Sequence, residues 1–156
     1  MKSFLLIICS LVLLASCTVK NVNSEFIQFN HMNAVVIGGD KLTITLIPTY
    51  KKRTRPVIVK IFRRGEYFDN KRISYEQYQQ ISDIILKIKQ EELELPKKQN
   101  YLIGILDGGS NSIYFKKDNT EKKFYTHGIS KEYHGKFYEV TELILKAANL
   151  EIKNIN

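Results

Sequence analysis

The side chains in this sequence that could do acid–base or metal chemistry are three histidines and two aspartates that adjoin glycine pairs. His127 and His134 stand seven residues apart in a segment that we predict to be a loop, and His31 is remote from both. Histidine titrates near neutral pH and is a common zinc ligand. A hydrolase that uses His127, His134 and a carboxylate is therefore one hypothesis, although solvated loop histidines are the interpretation that we favour.

The carboxylates that could complete such a site are Asp107 and Glu132. Paired carboxylates can also act as acid and base. However, Asp40 and Asp107 each adjoin a Gly-Gly pair, and aspartate is common in turns because its side chain accepts hydrogen bonds from nearby backbone amides. The sequence has no Gly-x-Ser-x-Gly elbow, no His-Glu-x-x-His and no phosphate loop. We therefore predict that the protein is not an enzyme and holds no metal and no cofactor.

The two cysteines lie in an apolar N-terminal stretch. Lys2 is followed by an apolar run over residues 4–14, in which Ser10 is the one polar side chain. As a helix this run would be about 16 Å long, against about 30 Å for the hydrocarbon core of a bilayer. This length is typical of a signal peptide and is too short for a transmembrane helix. Cys9 is removed with such a signal, so Cys17 is the one cysteine of the mature chain and no disulfide can form within it.

The end of this stretch resembles the lipobox of bacterial lipoproteins, in which a leucine and two small residues precede an obligatory cysteine. The matching residues are Leu14, Ala15, Ser16 and Cys17. The resemblance covers the first 17 residues. It implies cleavage between Ser16 and Cys17, a diacylglyceryl group on the Cys17 thiol and an acyl chain on its freed amine. Two or three acyl chains would anchor the protein durably to a membrane. The alternative is an ordinary secretory signal that happens to be followed by a cysteine.

The resemblance also divides the chain and implies a location for it. It implies a signal peptide over residues 1–16 and a lipidated cysteine at 17. The polar residues that follow, which lack periodicity, extend this segment as a flexible tether over 17–25, and the patterned remainder predicts a folded α+β domain over 26–156. The location is the bacterial cell envelope, on either the periplasmic or the surface face. In some lineages an aspartate after the cysteine retains a lipoprotein at the inner membrane, and Thr18 stands there instead. We therefore expect the outer membrane rather than the inner one.

Positive charge is concentrated in one segment. Without residues 1–16, which contain one lysine, the chain has 23 Lys and Arg against 16 Asp and Glu, a net charge of +7. Residues 41–72 contain ten basic and two acidic side chains, so this segment carries +8 and the remainder −1. We predict that part of it contacts an anionic envelope polymer or an acidic protein, and we expect no nucleic acid partner because the chain is exported. The candidate contact residues are Lys51, Lys52, Arg53, Arg55, Arg63 and Arg64.

These six residues fall into two groups. The first four lie in a predicted hairpin loop over residues 48–56, and the other two follow the next strand. A strand separates its ends by about 20 Å, so we expect two patches rather than one. The alternative is that these lysines and arginines keep a sheet edge from aggregating.

The strands that must position these residues are predicted from hydrophobic patterning. Residues 42–47 read LTITLI, in which apolar side chains alternate with threonine, and residues 57–62 read VIVKIF. Further strands are predicted at residues 33–37, 101–106, 112–116 and 122–126.

Two amphipathic helices are also predicted. Ser74 and Gln77 have the spacing of a capping box at the start of the first helix, and Pro96 marks its stop. Apolar residues then recur at three- and four-residue spacing. This stripe contains Tyr75, Tyr78, Ile81, Ile84, Ile85 and Ile88. The stripe of the last helix contains Phe137, Val140, Leu143, Ile144 and Ala147. We therefore predict a single α+β domain, an antiparallel sheet of about five to six strands with both helices packed on one face.

The two halves of the domain are alike in the order of their features. Each has a strand, a Gly-Gly turn, further strands and an Ile-Ser step before an amphipathic helix. An internal β-β-β-α duplication is one explanation. The other explanation is that the two halves share common local features without a duplication, because Gly-Gly turns and serine N-caps occur in many unrelated proteins.

The function predicted from these features is that of a lipid-anchored, non-catalytic binding or accessory module of the cell envelope. One alternative is a periplasmic immunity or inhibitor protein that neutralises a toxin or a hydrolase. The other is an envelope hydrolase built on His127 and His134. These two histidines and a carboxylate meeting in one cleft would favour the hydrolase, whereas histidines far apart would favour a binding protein.

Overall fold

The computed structural model describes residues 25–33, 40–50, 55–94 and 109–155. These residues form one antiparallel sheet of six strands and two α-helices, so the α+β prediction is confirmed. The strands are β1 (Phe26–Met32), β2 (Lys41–Pro48), β3 (Val57–Arg63), β4 (Glu66–Ile73), β5 (Ser110–Lys117) and β6 (Thr120–His127). The helices are α1 (Tyr75–Leu86) and α2 (Gly135–Ala147), with short 3₁₀ helices at Gln90–Leu93 and Ile152–Asn154.

The first strand along the chain lies in the middle of the sheet. The spatial order is β4-β3-β2-β1-β5-β6, and every neighbouring pair is antiparallel. β1 therefore pairs with β2 on one side and with β5 on the other. This single strand joins β2, β3 and β4 on one side to β5 and β6 on the other.

One face of the sheet is apolar and packs against the helices. Along β1, Ile27 and Phe29 are fully buried and alternate with half-buried residues, as expected for a strand with one face in the core. Their partners across β2, Leu46 and Ile44, are fully buried as well. Both helices contribute to the same core, and their buried apolar residues are Tyr78, Ile81, Ile85, Phe137, Val140, Ile144 and Leu145.

The start of α1 agrees with the prediction from the sequence, but its end does not. Ser74 Oγ accepts a hydrogen bond from Gln77 N at 3.2 Å, and Gln77 Oε1 accepts one from Ser74 N at 3.0 Å, which is the predicted capping box. The helix nevertheless ends at Leu86, well before Pro96. The Lys87 amide bonds the carbonyls of the two residues before Leu86, a tight last turn, and the backbone is extended at Lys89.

The structure corrects the strand prediction at two places. β1 was not predicted. The strand predicted at 33–37 is wrong at Asn33, because β1 has already ended there, and residues 34–37 lie outside the described ranges. β4 was not predicted either, because its sequence does not alternate and its register with β3 shifts between Ile61 and Phe62. The strands predicted at 42–47, 57–62, 112–116 and 122–126 are confirmed, and 101–106 lies outside the described residues.

Within the described ranges, four strands rather than three precede α1. The corresponding part of the second half includes residues 95–108, which the structure does not describe, so the internal duplication stays a prediction. The glycine of the second predicted Gly-Gly turn has a specific role. Gly109 has a φ of +66°, and a Cβ there would stand 2.2 Å from the carbonyl oxygen of Met32 at the end of β1.

Candidate binding surface

The face of the sheet opposite the helices is the candidate binding surface. Its residues alternate along the six strands with those of the core, and we call it the open face because, within the described ranges, neither α-helix lies on it. It includes Met32, Tyr67 and Tyr125, which are 51%, 56% and 45% exposed. Exposed large apolar side chains that share one surface often mark a recognition site.

One row of open-face residues crosses all six strands. In spatial order these residues, each paired with the next in the register of the sheet, are Tyr67, Phe62, Thr43, Asn30, Ser112 and Tyr125. We call this set the Tyr67–Tyr125 row. Neighbouring strands lie about 4.8 Å apart, so the row spans about 24 Å.

The centre of this row is a chain of hydrogen bonds between side chains. Thr43 Oγ1 donates to Asn30 Oδ1 at 3.0 Å, and Asn30 Nδ2 donates to Ser112 Oγ at 3.3 Å. These bonds fix the orientation of the Asn30 amide, and all three side chains are half-buried. The centre therefore presents small hydroxyl and amide groups in fixed positions.

The two ends of the row are aromatic. At β4 the Tyr67 ring meets the Phe62 ring edge-on, with 5.8 Å between centroids, and Asn70 Nδ2 donates to the Tyr67 hydroxyl. At β6 the Tyr125 ring meets the His127 ring edge-on at 4.9 Å. Edge-to-face contacts of this kind hold an exposed ring in place.

A second row lies about 7 Å away, two residues along each strand except β4, where the register shift makes the step three residues. We call it the Lys60–Lys123 row; in spatial order it contains Asn70, Lys60, Thr45, Gln28, Tyr114 and Lys123. Lys60 and Lys123 are both exposed. Each end of the open face thus carries a lysine next to an aromatic ring.

The open face is positively charged. It carries five basic side chains, and in the described part of the chain none of them forms an ion pair. They are Lys41, Lys60, Arg72, Lys116 and Lys123. The one described carboxylate on this face is Glu121, so the net charge is +4. Glu121 accepts a hydrogen bond from the Tyr114 hydroxyl, which raises the pKa of that tyrosine.

Of the six predicted contact residues, the three in the middle of the loop, Lys51, Lys52 and Arg53, lie outside the described residues. The other three contact neighbouring side chains. The Arg55 guanidinium lies 4.5 Å from the ring centroid of Tyr75, and that of Arg63 lies 5.1 Å from the ring centroid of Phe68. Arg64 Nε is 3.4 Å from Asp40 Oδ1, an exposed and therefore weak ion pair.

Arg55, the one described member of the first predicted group, lies apart from Arg63 and Arg64. Arg55 precedes β3, whereas Arg63 ends it and Arg64 begins the turn to β4, so the length of β3 lies between them. The open face instead collects lysines that are distant in sequence, among them Lys60 and Lys123. Patterning could have shown that Lys60 points away from Val59 and Ile61. It could not have shown that β1 pairs with both β2 and β5. This pairing places residues from the two halves of the chain on the same open face.

The two sheet edges are protected in different ways. At β4, Asp69 Oδ1 accepts the Asn70 backbone amide at 2.7 Å, and Lys71 pairs with Asp69 at 2.9 Å. At β6 the side-chain amide of Gln90 donates to Tyr125 O and accepts from Tyr125 N, both at 3.1 Å. Charged residues on an edge and a covered edge both discourage aggregation. The gatekeeper interpretation therefore fits Lys71, on β4, whereas residues 51–54 lie outside the described ranges.

The histidines lie in three separate environments. His127 is exposed at the end of β6. His134 is 2% exposed at the start of α2, where its Nδ1 accepts the Ser130 amide at 3.2 Å, and burial lowers its pKa. The interpretation of His134 as a solvated loop residue is therefore wrong. His31 is buried in the sheet and bonds Asn111 Oδ1 at 2.8 Å.

The hydrolase hypothesis receives no geometric support from these positions. No described contact joins His127 to His134, Glu132 is exposed, and Asp107 lies outside the described residues. In the ranges that the structure covers, no three His, Cys, Asp or Glu side chains are grouped closely enough to hold a metal ion. None of the helices in those ranges is long and apolar enough to cross a bilayer.

Comparison with known proteins adds no functional assignment. No protein-family model matches the chain, and no curated protein matches it either. Cys17 and the residues before it lie outside the described ranges.

Proposed function

We propose that this protein is a lipid-anchored, non-catalytic binding module of the bacterial cell envelope, and that it engages an anionic envelope polymer through the open face. The observation that carries the proposal is the +4 charge of a helix-free sheet face whose five basic side chains have no ion-pair partner in the described residues. Cations without a partner on the protein remain free to pair with a ligand.

The shape of the face supports an extended ligand. A pocket for a small molecule would be concave and mostly apolar. The Tyr67–Tyr125 row is instead a strip about 24 Å long, with hydrogen-bonding groups in its centre. A polymer can lie along such a strip and make several weak contacts at once, which together give useful affinity.

The lipobox resemblance supports the location. A diacylglyceryl group and an acyl chain on Cys17 would hold the protein at a membrane. The tether from Thr18 to Ser24 would reach about 24 Å when extended, since the next residue, Glu25, is buried in the domain. A domain held at that distance would lie within the layer of envelope polymers next to the membrane.

The contribution of charge to envelope binding is tested by reversing the charges of Lys60 and Lys123 together. The variant Lys60→Glu/Lys123→Glu changes the charge of the open face by four units, and we expect co-sedimentation with purified envelope fragments to fall at least tenfold at low salt. The matched control is Lys87→Glu/Lys131→Glu, which makes the same change at two exposed positions away from this face. Wild-type binding should also weaken as salt rises, because exposed charges are screened over about 8 Å at physiological ionic strength.

Three outcomes are informative. Equal binding by the two double variants would contradict the open face as the contact surface. A loss seen instead with Lys52→Glu/Arg53→Glu would assign the contact to the hairpin loop. Co-purification of one acidic protein in fixed stoichiometry, without any polymer, would favour the immunity or inhibitor alternative. Thermal unfolding of each variant shows whether its fold is intact, since exposed substitutions usually change stability by less than about 0.5 kcal/mol.

The anchor is tested with Cys17→Ser. We expect this variant to incorporate no lipid label and to accumulate as an uncleaved or mislocalised precursor, because the thiol is the acceptor of the diacylglyceryl group. Mass spectrometry of the mature wild-type protein should find a modified Cys17 at its N-terminus. An unmodified N-terminus at any other residue would contradict the anchor.

A further inference from the structure

We infer that the polymer bound by the open face is an anionic glycan, and that its chain crosses the strands along the Tyr67–Tyr125 row with a sugar ring against the aromatic side chain at each end. This inference rests on the proposed function and adds the chemical class of the ligand and its direction on the sheet. It is carried by the composition of the row and by the spacing of its ends.

The ends of the row suit sugar rings. A pyranose presents a face of C–H groups, which packs against the face of an aromatic ring and buries apolar area there. Tyr67 and Tyr125 are the exposed rings of the row. The Tyr67 ring contacts Phe62 on the neighbouring strand edge-on, and the Tyr125 ring contacts His127 on its own strand edge-on. A lysine lies about 7 Å away at each end, two residues along the strand from Phe62 or from Tyr125, where it can pair with a carboxylate of the chain.

The centre of the row suits sugar hydroxyls. Thr43, Asn30 and Ser112 form a hydrogen-bonded strip with remaining donor and acceptor capacity. A single-stranded nucleic acid would need aromatic side chains in the middle of the sheet, on which successive bases stack. Here the middle of the row is polar. The middle strands do carry two aromatic side chains outside the row, Phe26 and Tyr114, but both are half-buried and they pack edge-to-face on each other, with 5.2 Å between centroids. The row itself therefore favours a hydroxyl-rich chain over a chain of planar bases.

The spacing of the ends predicts a dependence on chain length. A short oligosaccharide can touch one end only, whereas a chain that spans about 24 Å can touch both. Once one end is bound, the second contact is intramolecular, so affinity should rise steeply at the length that bridges the two rings. A lipid headgroup or a vesicle surface would show no such dependence on length.

The experiment uses oligogalacturonates of two to twelve residues as the probe, with the full lipoprotein in detergent and calorimetry as the readout. We expect affinity to rise with length and then reach a plateau. Tyr67→Ala and Tyr125→Ala should each weaken the longest oligomer about tenfold and should abolish the rise with length. Tyr133→Ala is the matched control, because Tyr133 is 40% exposed and stands in the segment before α2, away from the open face. If Tyr67→Ala unfolds, Tyr67→Leu keeps the bulk of the side chain and removes the aromatic face.

The outcomes separate this inference from the proposed function. One outcome is that the reversal of Lys60 and Lys123 abolishes envelope binding while oligogalacturonate of any length fails to bind. That result would contradict the anionic glycan as the ligand and would leave the open face as the binding surface. Affinity independent of length, or undiminished by either tyrosine variant, would overturn the bridging chain. Tighter binding of oligothymidylate, or of vesicles that contain phosphatidylglycerol, would replace the glycan by that ligand. If the lysine reversal leaves envelope binding unchanged, the proposed function itself fails.

Discussion

His134 shows how a titratable residue can be absorbed into the core. Its imidazole is 2% exposed, and its Nδ1 accepts the Ser130 amide, so the neutral ring with its proton on Nε2 is the form that fits. Protonation of Nδ1 would break that bond and would place a charge in a buried site. Burial accordingly lowers the pKa of His134 below its usual value of 6.5.

His134 should therefore make the fold less stable in mild acid. Below about pH 6.5 the unfolded chain binds a proton at this position and the folded chain does not, so the free energy of unfolding falls as the pH falls, by at most about 1.4 kcal/mol per pH unit for one proton. Above that pH both states are neutral and the effect disappears. His134→Asn keeps an acceptor for the Ser130 amide but does not titrate, so its stability should fall less between pH 7.5 and pH 5.5.

The measurement is urea unfolding of both proteins across that range. The other histidines and the carboxylates are common to both, so the difference between the two pH profiles isolates His134. Parallel profiles would show that His134 is protonated in the folded state as readily as in the unfolded one.

A second buried group lies at the start of the domain. The Glu25 carboxylate is 7% exposed and stands 3.5 Å from the Lys117 ammonium at the end of β5. Burial, and then the neighbouring Glu25, raises the pKa of the Tyr78 hydroxyl on α1. Glu25 is the residue immediately before β1, so its ion pair with Lys117 ties the start of the central strand to β5.

At the scale of elements, the two helices are defined by which of their faces is buried. In α1 the predicted stripe is confirmed at Tyr78, Ile81 and Ile85, which are buried, whereas Tyr75 and Ile84 at its margins are only partly buried. Leu86 is the next residue after Ile85 and is 43% exposed. A step of one residue turns a helix by about 100°, which moves a side chain from the core to the surface.

Ile85→Ala and Leu86→Ala form a matched pair on α1. Ile85→Ala should lower the free energy of unfolding by about 2–5 kcal/mol, because it leaves a cavity at a fully buried position. Leu86→Ala removes an apolar side chain of the same size from the surface and should cost less than about 0.5 kcal/mol. Chemical denaturation measures both values. Equal losses would place both side chains in similar environments and would contradict the phase of the helix.

At the scale of the whole molecule, the sheet depends on its first strand. β1 is bonded on both edges, and its Ile27 and Phe29 are fully buried in the shared core. Without it, the β2–β3–β4 part of the sheet has no hydrogen-bonded link to the β5–β6 part. Local contacts alone then cannot hold the two parts in one sheet.

A chain that begins at Asn33, and so lacks β1, should not fold cooperatively. Circular dichroism during heating should show no sharp transition, whereas a control chain that begins at Glu25 should retain one, because it keeps the whole sheet and the Glu25–Lys117 pair. Adding a peptide of residues 25–33 to the shorter chain should restore part of the transition. A sharp transition in the shorter chain alone would show that β1 is dispensable.

The sequence by itself determined the features that depend on neighbours along the chain. The capping box at Ser74, the centres of both helix stripes and the hairpin strands β5 and β6 follow from spacing of a few residues, and all are present. Ile88, the last residue of the first predicted stripe, is buried but lies beyond the end of α1. β4 escaped prediction because an edge strand with a shifted register has no face that must be apolar, so its residues need not alternate.

Only the tertiary structure decided where the strands lie relative to one another. Pairing β1 with β5 closes a separation of some eighty residues, as in the contact between Asn30 and Ser112, and no local pattern specifies that partner. The open face depends on this pairing, because its two aromatic ends and its two lysines come from opposite halves of the chain. The count of charges along the sequence indicated residues 41–72 as the basic region. In the folded sheet, Lys60 from that region and Lys123 from outside it lie on the same face. Local composition sets which residues are exposed, but long-range pairing sets which exposed residues share a surface.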